Sequence, residues 1–208
     1  MNKYAQSRNT YPPTYDTVSK EAGWDSPERV QKLVESRVAA GSRVLDIGIG
    51  TGLAVSGYAD RGATVIGLDH DQAMLDVAQS VVGENGSLRQ ADINGRLPID
   101  DLEGSVDVTQ AVGVLEFAKD LPSVFGQVYG SLKKDGVFVF TSELIDGTRT
   151  LEPETHYDDI DVTVYRHTPD EIADLLEQAG FQLVHAEGYD GYERGDSAVP
   201  YGIFLAQK

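Results

Sequence analysis

Val44-Leu45-Asp46-Ile47-Gly48-Ile49-Gly50-Thr51-Gly52 is the stretch that decides the fold. An apolar strand carries a carboxylate, Asp46, and runs into a glycine turn of the form GxGxG ahead of a helical stretch. Gly48, Gly50 and Gly52 have no Cβ, so a ligand can approach the backbone closely there. Turns of this kind serve several nucleotide-derived cofactors, and the glycines alone leave the ligand open. Asp46 narrows the choice. A carboxylate beside the turn repels a pyrophosphate and welcomes an ammonium.

Strands and helices alternate around this turn. Ser26 is suited to cap a first helix, with Pro27 and Glu28 in its first turn, Val30, Leu33, Val34 and Val38 on its apolar face, and Gly41 as its stop. Apolar strands are predicted at 44–47, 64–68, 88–91, 106–112 and 136–141. Helical stretches are predicted at about 51–60, from about Asp71 with Met74, Leu75, Ala78 and Val82 inward, and from Asp120 with Leu121, Val124, Phe125, Val128 and Leu132 inward. Strands that alternate with helices imply a parallel sheet covered on both faces. Residues 142–166 read as a long polar connection on the substrate side, of the kind that forms lids. Thr168-Pro169-Asp170-Glu171 is a capping box for a last helix that stops at Gly180. The strands at 181–186 and 203–206 have no helix between them, which makes them an antiparallel pair at the sheet edge.

The 208 residues are expected to form a single domain, with 1–25 as an aromatic and polar lid segment. A formal charge of −17 argues against nucleic acid as a partner, because phosphate recognition needs clustered Lys and Arg. The acidity suits solubility or a salty environment, and it also suits a cationic ligand. The chain has no cysteine, which excludes disulfides, thiolate catalysis and Cys-based zinc sites. Apolar runs are strand-sized and no secretory h-region is visible, so a cytoplasmic protein without membrane contact is expected. No His or carboxylate spacing marks a metal site.

The chemistry gathers at the carboxyl ends of successive strands. Asp69 ends the second strand, where its two oxygens can accept from both hydroxyls of a ribose, with His70 at the ribose edge. Met74 follows on the next helix, where it can pack on an adenine face. Asp92, with Ile93 beside it, ends the third strand, where it can accept from an adenine amino group. The fourth strand ends at 110–116, beside the first. S-adenosylmethionine (SAM) has an ammonium, a sulfonium and no phosphate, and it matches this acidic pattern better than a dinucleotide does.

In these motifs, from about residue 26 to 208, the chain resembles the class I, Rossmann-like SAM-dependent methyltransferases. The glycine motif, the acidic strand end at 65–69, Ala91-Asp92-Ile93, the 107–117 segment and Leu132-Lys133-Lys134-Asp135-Gly136 fall in the family's order. The resemblance implies a three-layer, doubly wound α/β fold. Its seven-stranded sheet has order 3-2-1-4-5-7-6, strand 7 antiparallel, with helices on both faces. It implies SAM contacts at Gly48, Gly50, Asp69, Met74, Asp92 and the backbone near Ala111, with Asp46 at the methionine end and S-adenosylhomocysteine (SAH) as product.

Methyl transfer from a sulfonium is a direct displacement, so alignment can supply much of the catalysis and a base is needed only if the acceptor must lose its proton. Phe117 stands where many members of the family carry His. His156 and His167 flank the 142–166 insertion and are candidates for acid–base work, and Tyr15 is a third catalytic candidate. His185 reads as a strand residue. Tyr11, Tyr15, Tyr157, Tyr165, Tyr189 and Tyr192 are candidates for an aromatic wall around the acceptor. The expected activity is methyl transfer to O or N of a small molecule by a monomer or homodimer. A protein side-chain methyltransferase, a non-catalytic SAM- or SAH-binding module and a nicotinamide oxidoreductase are the alternatives.

Overall fold

The structure is a computed structural model and describes residues 12–147, 151–157, 161–194 and 197–208. Its main sheet has seven strands: β1 Arg43–Ile47, β2 Thr64–Asp69, β3 Ser87–Gln90, β4 Val106–Ala111, β5 Leu132–Glu143, β8 Gln182–Arg194 and β9 Ser197–Gln207. They lie in the order β3-β2-β1-β4-β5-β9-β8. The first five run parallel and β9 is antiparallel to both of its neighbours. This is the predicted order, with β9 and β8 as the expected antiparallel edge pair. β6 Glu154–Tyr157 and β7 Val162–Tyr165 form a separate antiparallel pair.

Two apolar layers cover the sheet. One face carries Leu45, Ile47, Ile66, Leu68, Phe138 and Phe140 against α4 (Leu121–Ser131) and α5 (Pro169–Gln178). The other carries Val44, Val65, Val108 and Val137 against α2 (Ser26–Val34) and α3 (Gln72–Val82). Alternation along β1 therefore puts Asp46 on the same face as Val44, among apolar neighbours. The helix ends follow their caps. Asp71 accepts from the Ala73 N–H at the start of α3, Asp120 from the Ser123 N–H at the start of α4, and Thr168 with Glu171 closes the capping box of α5.

Five local expectations need correction. The 1–25 segment contains a helix, α1 Pro12–Glu21, which its polar sequence masks. α2 is preceded by Asp25 at the cap position, and Ser26 is already helical; its hydroxyl instead meets the Tyr189 hydroxyl at 2.5 Å. The 51–60 stretch makes a single 3₁₀ turn, Leu53–Val55, followed by i→i−3 turns. Gly52 and Gly57, both at positive φ, interrupt the i→i−4 ladder there. Residues 142–166 are not one connection: β5 runs on to Glu143, and Val162, Thr163, Val164 and Tyr165 pair with 154–157 as β-branched and aromatic residues favour. The last loop is likewise absorbed into β8 and β9, because Tyr192, Val199 and Tyr201 bury one another with Trp24 and Tyr189.

Candidate functional site

β1 and β4 are in register through Asp46↔Gln110 and Ile47↔Ala111, and beyond these pairs the chains diverge. A cleft of about 420 Å3 opens at that point, at the carboxyl ends of the strands where the order switches direction. Its floor is the glycine turn. Gly48, at φ 74°, passes so close to Val114 that a Cβ would fall 2.6 Å from Cγ2, whereas a Cβ on Gly50 would point into open space. Gly52 is not on the wall. It caps the 3₁₀ turn at φ 91° and packs towards Val81, so its role is to shape the turn.

Asp69 faces the turn from β2. Its Oδ2 accepts the Gly50 N–H at 2.8 Å and its Oδ1 accepts the Asp71 N–H at 2.9 Å. Burial pushes this carboxyl up, but hydrogen bonds from His70 and from the Asp71 and Gly50 backbone outweigh it and hold Asp69 below the ordinary carboxylate range. Oδ2, with the Gly50 N–H as its one donor among the described residues, keeps a second lone pair for a ligand hydroxyl, whereas Oδ1 is shared between the Asp71 N–H and His70. His70 lines the mouth of the cleft with its ring largely exposed and 3.3 Å from Asp69, whose hydrogen bond raises the imidazole pKa. Met74, Asp92 and Ile93 also line the wall. Asp92 Oδ1 accepts the Asn94 N–H at 2.9 Å. The Asn94 side chain then donates to the Phe117 carbonyl at 3.1 Å and accepts from the Lys119 N–H at 2.9 Å, tying the two strand ends together.

Asp46 and Ala111 sit one step below the wall. Ala111 is fully buried because β4 is still paired on both sides there, and the wall is made by Val112, Gly113 and Val114 instead. Asp46 is buried directly beneath the turn. Its Oδ2 accepts from Gln110 Nε2 at 3.2 Å, and its Oδ1 has no hydrogen-bond partner among the described residues. Burial drives this carboxyl up to about 8, opposed by the Gln110 hydrogen bond and reinforced by repulsion from Asp69.

Of the three catalytic candidates, Tyr15 reaches the wall, carried by α1. α1 is fastened to the turn through Asp16, whose Oδ1 accepts from Thr51 Oγ1 at 2.5 Å. His156 does not reach the cleft. It pairs across the small hairpin with Thr163, its Nδ1 3.0 Å from Oγ1, with Nε2 3.7 Å from Asp161. His167 lies at the start of α5, where burial lowers its pKa and Glu171 acts against that. His185 is half-buried on β8 beside Glu187. Tyr11 lies outside the described residues.

Asp161 and Val162, at the turn of the β6–β7 hairpin, also reach the cleft. Arg166, at the hairpin's other end, is buried against Glu143 with a 2.8 Å contact. The same guanidinium donates to Tyr157 Oη at 2.6 Å, Thr155 Oγ1 at 3.0 Å and the Glu152 carbonyl at 3.2 Å, and Tyr192 donates to Glu143 at 2.5 Å. Sequence reasoning missed this pair; the one available signal is a lone arginine closing a β-branched run inside an acidic segment. Deeper still, Tyr201 donates to the buried Glu116, and Trp24 packs edge-on to Tyr201 at 5.1 Å and fills the space over Gly113. Trp24, Tyr192 and Tyr201 are thus packed on one another behind the wall, which makes them its support.

Residues 45–140 match the family described as Methyltransferase domain. The ubiquinone biosynthesis O-methyltransferase of Pseudomonas fluorescens is 33% identical over 118 residues, which are 56% of this chain and 51% of that protein. The chain thus spans about half the length of the curated relatives it matches. Among solved structures, an S-adenosylmethionine-dependent methyltransferase from Mesorhizobium loti superposes with a TM-score of 0.69 at 21% identity, covering 85% of this chain and 96% of that one. The 1,6-didemethyltoxoflavin-N1-methyltransferase of Burkholderia thailandensis, solved with bound 1,6-didemethyltoxoflavin and S-adenosylhomocysteine, gives a TM-score of 0.70 at 20% identity, covering 99% of this chain and 89% of that one.

Proposed function

For this member of the class I, Rossmann-like SAM-dependent methyltransferases, we propose direct methyl transfer from SAM to an oxygen or nitrogen of a small-molecule acceptor. One observation carries the reading: Asp69 lines the cleft, is held by the Gly50 N–H at 2.8 Å, and is kept below the ordinary carboxylate range by its hydrogen bonds. The cleft's other groups fit the same ligand. Space opens over Gly50, Met74 and Asp92 stand beyond Asp69, and Asp46, with one oxygen unpartnered among the described residues, sits one residue pair below the point where β1 and β4 diverge.

When bound, SAM supplies an electrophilic methyl group and its own leaving group. The chain's task is then binding, alignment and exclusion of water. Asp69 and Asp92 hold the nucleoside end. Gly48, Val112 and Gly113 shape the channel towards the methyl end, and Val114, Phe117 and Val162 make that end apolar. Tyr15 contributes a hydroxyl to the same wall and orients the acceptor. Relatives named for O- and N1-methyl transfer support an oxygen or nitrogen acceptor. The charge of −17 weighs against nucleic acid. Among the described residues no helix is long and apolar enough to cross a membrane.

A SAM- or SAH-binding module without turnover is the second reading, favoured by the placement of His156 and His167 away from the cleft. The test is conversion of SAM to SAH in the presence of phenols, carboxylates and amines. Acceptor-dependent SAH formation is expected. SAM binding with no turnover across the panel supports the module instead.

A further inference from the structure

Gln110 and Tyr58 form a buried chain behind Asp46 that the proposed chemistry leaves unused. Tyr58 is 1% exposed and Gln110 and Asp46 are as deeply buried, on the face of the sheet opposite α4. Tyr58 Oη donates to Gln110 Oε1 at 3.4 Å, and Gln110 Nε2 donates to Asp46 Oδ2 at 3.2 Å. With its oxygen accepting from Tyr58, the Gln110 amide can present only its NH₂ to Asp46. Oδ2 is therefore committed as an acceptor, and a proton on this carboxyl belongs on Oδ1, the oxygen without a partner.

Asp46 lies beneath Gly48 and Val112–Gly113 of the cleft wall, because it and Gln110 are in register one pair below the point where β1 and β4 diverge. Among the described residues, the titratable groups facing Asp46 are Asp69 from the end of β2 and Tyr58 from the turns after Val55. Neither is a cation. A buried carboxylate with only an anion and a phenol near it carries its proton, until a cation arrives.

Resting on the SAM reading above, we propose that Gln110 and Tyr58 are positioning residues that aim Asp46 Oδ1 at the ligand's ammonium, so that ligand binding exchanges a carboxyl proton for that ammonium. The balance is simple. Asp46 enters as the neutral acid, its O–H bond breaks, the proton goes to solvent, and the carboxylate left behind faces the ammonium. No redox step is involved. The rise of the Asp46 pKa to about 8 places the exchange in the physiological range.

The test is calorimetric titration with SAH and with methylthioadenosine, which lacks the amino-acid end, between pH 5.5 and 8 in buffers of different ionisation heat. Wild-type protein should release close to one proton per SAH near neutral pH, with Kd tightening up to about tenfold per pH unit. Methylthioadenosine should bind without proton release and with a flat pH profile. Gln110→Leu should weaken SAH at pH 7 about tenfold or more and move its profile to higher pH, leaving methylthioadenosine unchanged. Tyr58→Phe, the milder change, should shift the profile in the same direction by less. SAH binding that is independent of pH and proton-neutral overturns the inference. So does a Gln110→Leu protein that loses both ligands in parallel with an unmoved profile. Failure of wild-type protein to bind either nucleoside overturns the SAM reading itself, and the inference with it.

Discussion

Asp69 is the residue on which the proposed cofactor site turns, and its place on the cleft was readable because its position, at the end of the strand after the glycine turn, is fixed by topology. Asp92, Met74 and Gly50 were readable for the same reason. Removing Asp69 takes a hydrogen-bond pair from a neutral ribose, so Asp69→Ala should weaken SAM at least tenfold, about 1.4 kcal/mol, in a calorimetric titration. Unchanged affinity would remove it from the site. Asp46 bears on stability as well as on binding. Its folded pKa, about 8, lies above its ordinary value of 3.8, so its contribution is fully present below pH 4 and is lost as pH rises towards 8. Unliganded protein should therefore melt lower at pH 8 than at pH 5.5 by more than Asp46→Asn does, with the Asp46 share at most about 1.4 kcal/mol, or roughly 3–6 °C, per pH unit. Equal slopes for the two proteins in thermal melts would contradict this. What the sequence hid at this scale was side-chain direction. His156 and His167 flank the right segment, but one points across a two-stranded ribbon and the other sits at a helix start.

At the scale of elements, the parallel strands and capped helices were legible because their signals are local: apolar runs, Asp71, Asp120 and the Thr168–Glu171 box. The β6–β7 hairpin and the long β8–β9 pair were not. Their stability comes from contacts far apart in sequence, the Arg166–Glu143 pair for the first and the Trp24–Tyr192–Tyr201 packing for the second. Both partners of that ion pair are buried, so breaking it alone should be costly and replacing it whole should cost less. Arg166→Met is expected to destabilise by about 3–5 kcal/mol in urea unfolding, and the Glu143→Leu/Arg166→Met double variant by less than Arg166→Met alone. A double variant as unstable as the sum of the single ones would show that the two side chains act independently.

At the scale of the whole molecule, the seven-stranded sheet puts the strand-order reversal, the glycine turn and three carboxylates at one edge, and a chain of charge −17 surrounds them. SAM carries one more positive charge than SAH, so raising salt from 50 to about 500 mM should weaken SAM more than SAH if this field acts on the ligand. An identical salt dependence would confine the acidity to solubility. The fold and the methyl donor follow from the order of motifs along the chain. The acceptor does not, because the walls proposed to face it come from α1, from Asp161 and Val162 and from Phe117, which share no motif. Every role assigned to the cleft depends on SAM as the methyl donor, and calorimetric titration of the chain with SAM, SAH and NAD reads that out. One-to-one binding of SAM and SAH with no heat from NAD is expected; saturable NAD binding with no SAM signal would overturn the SAM site.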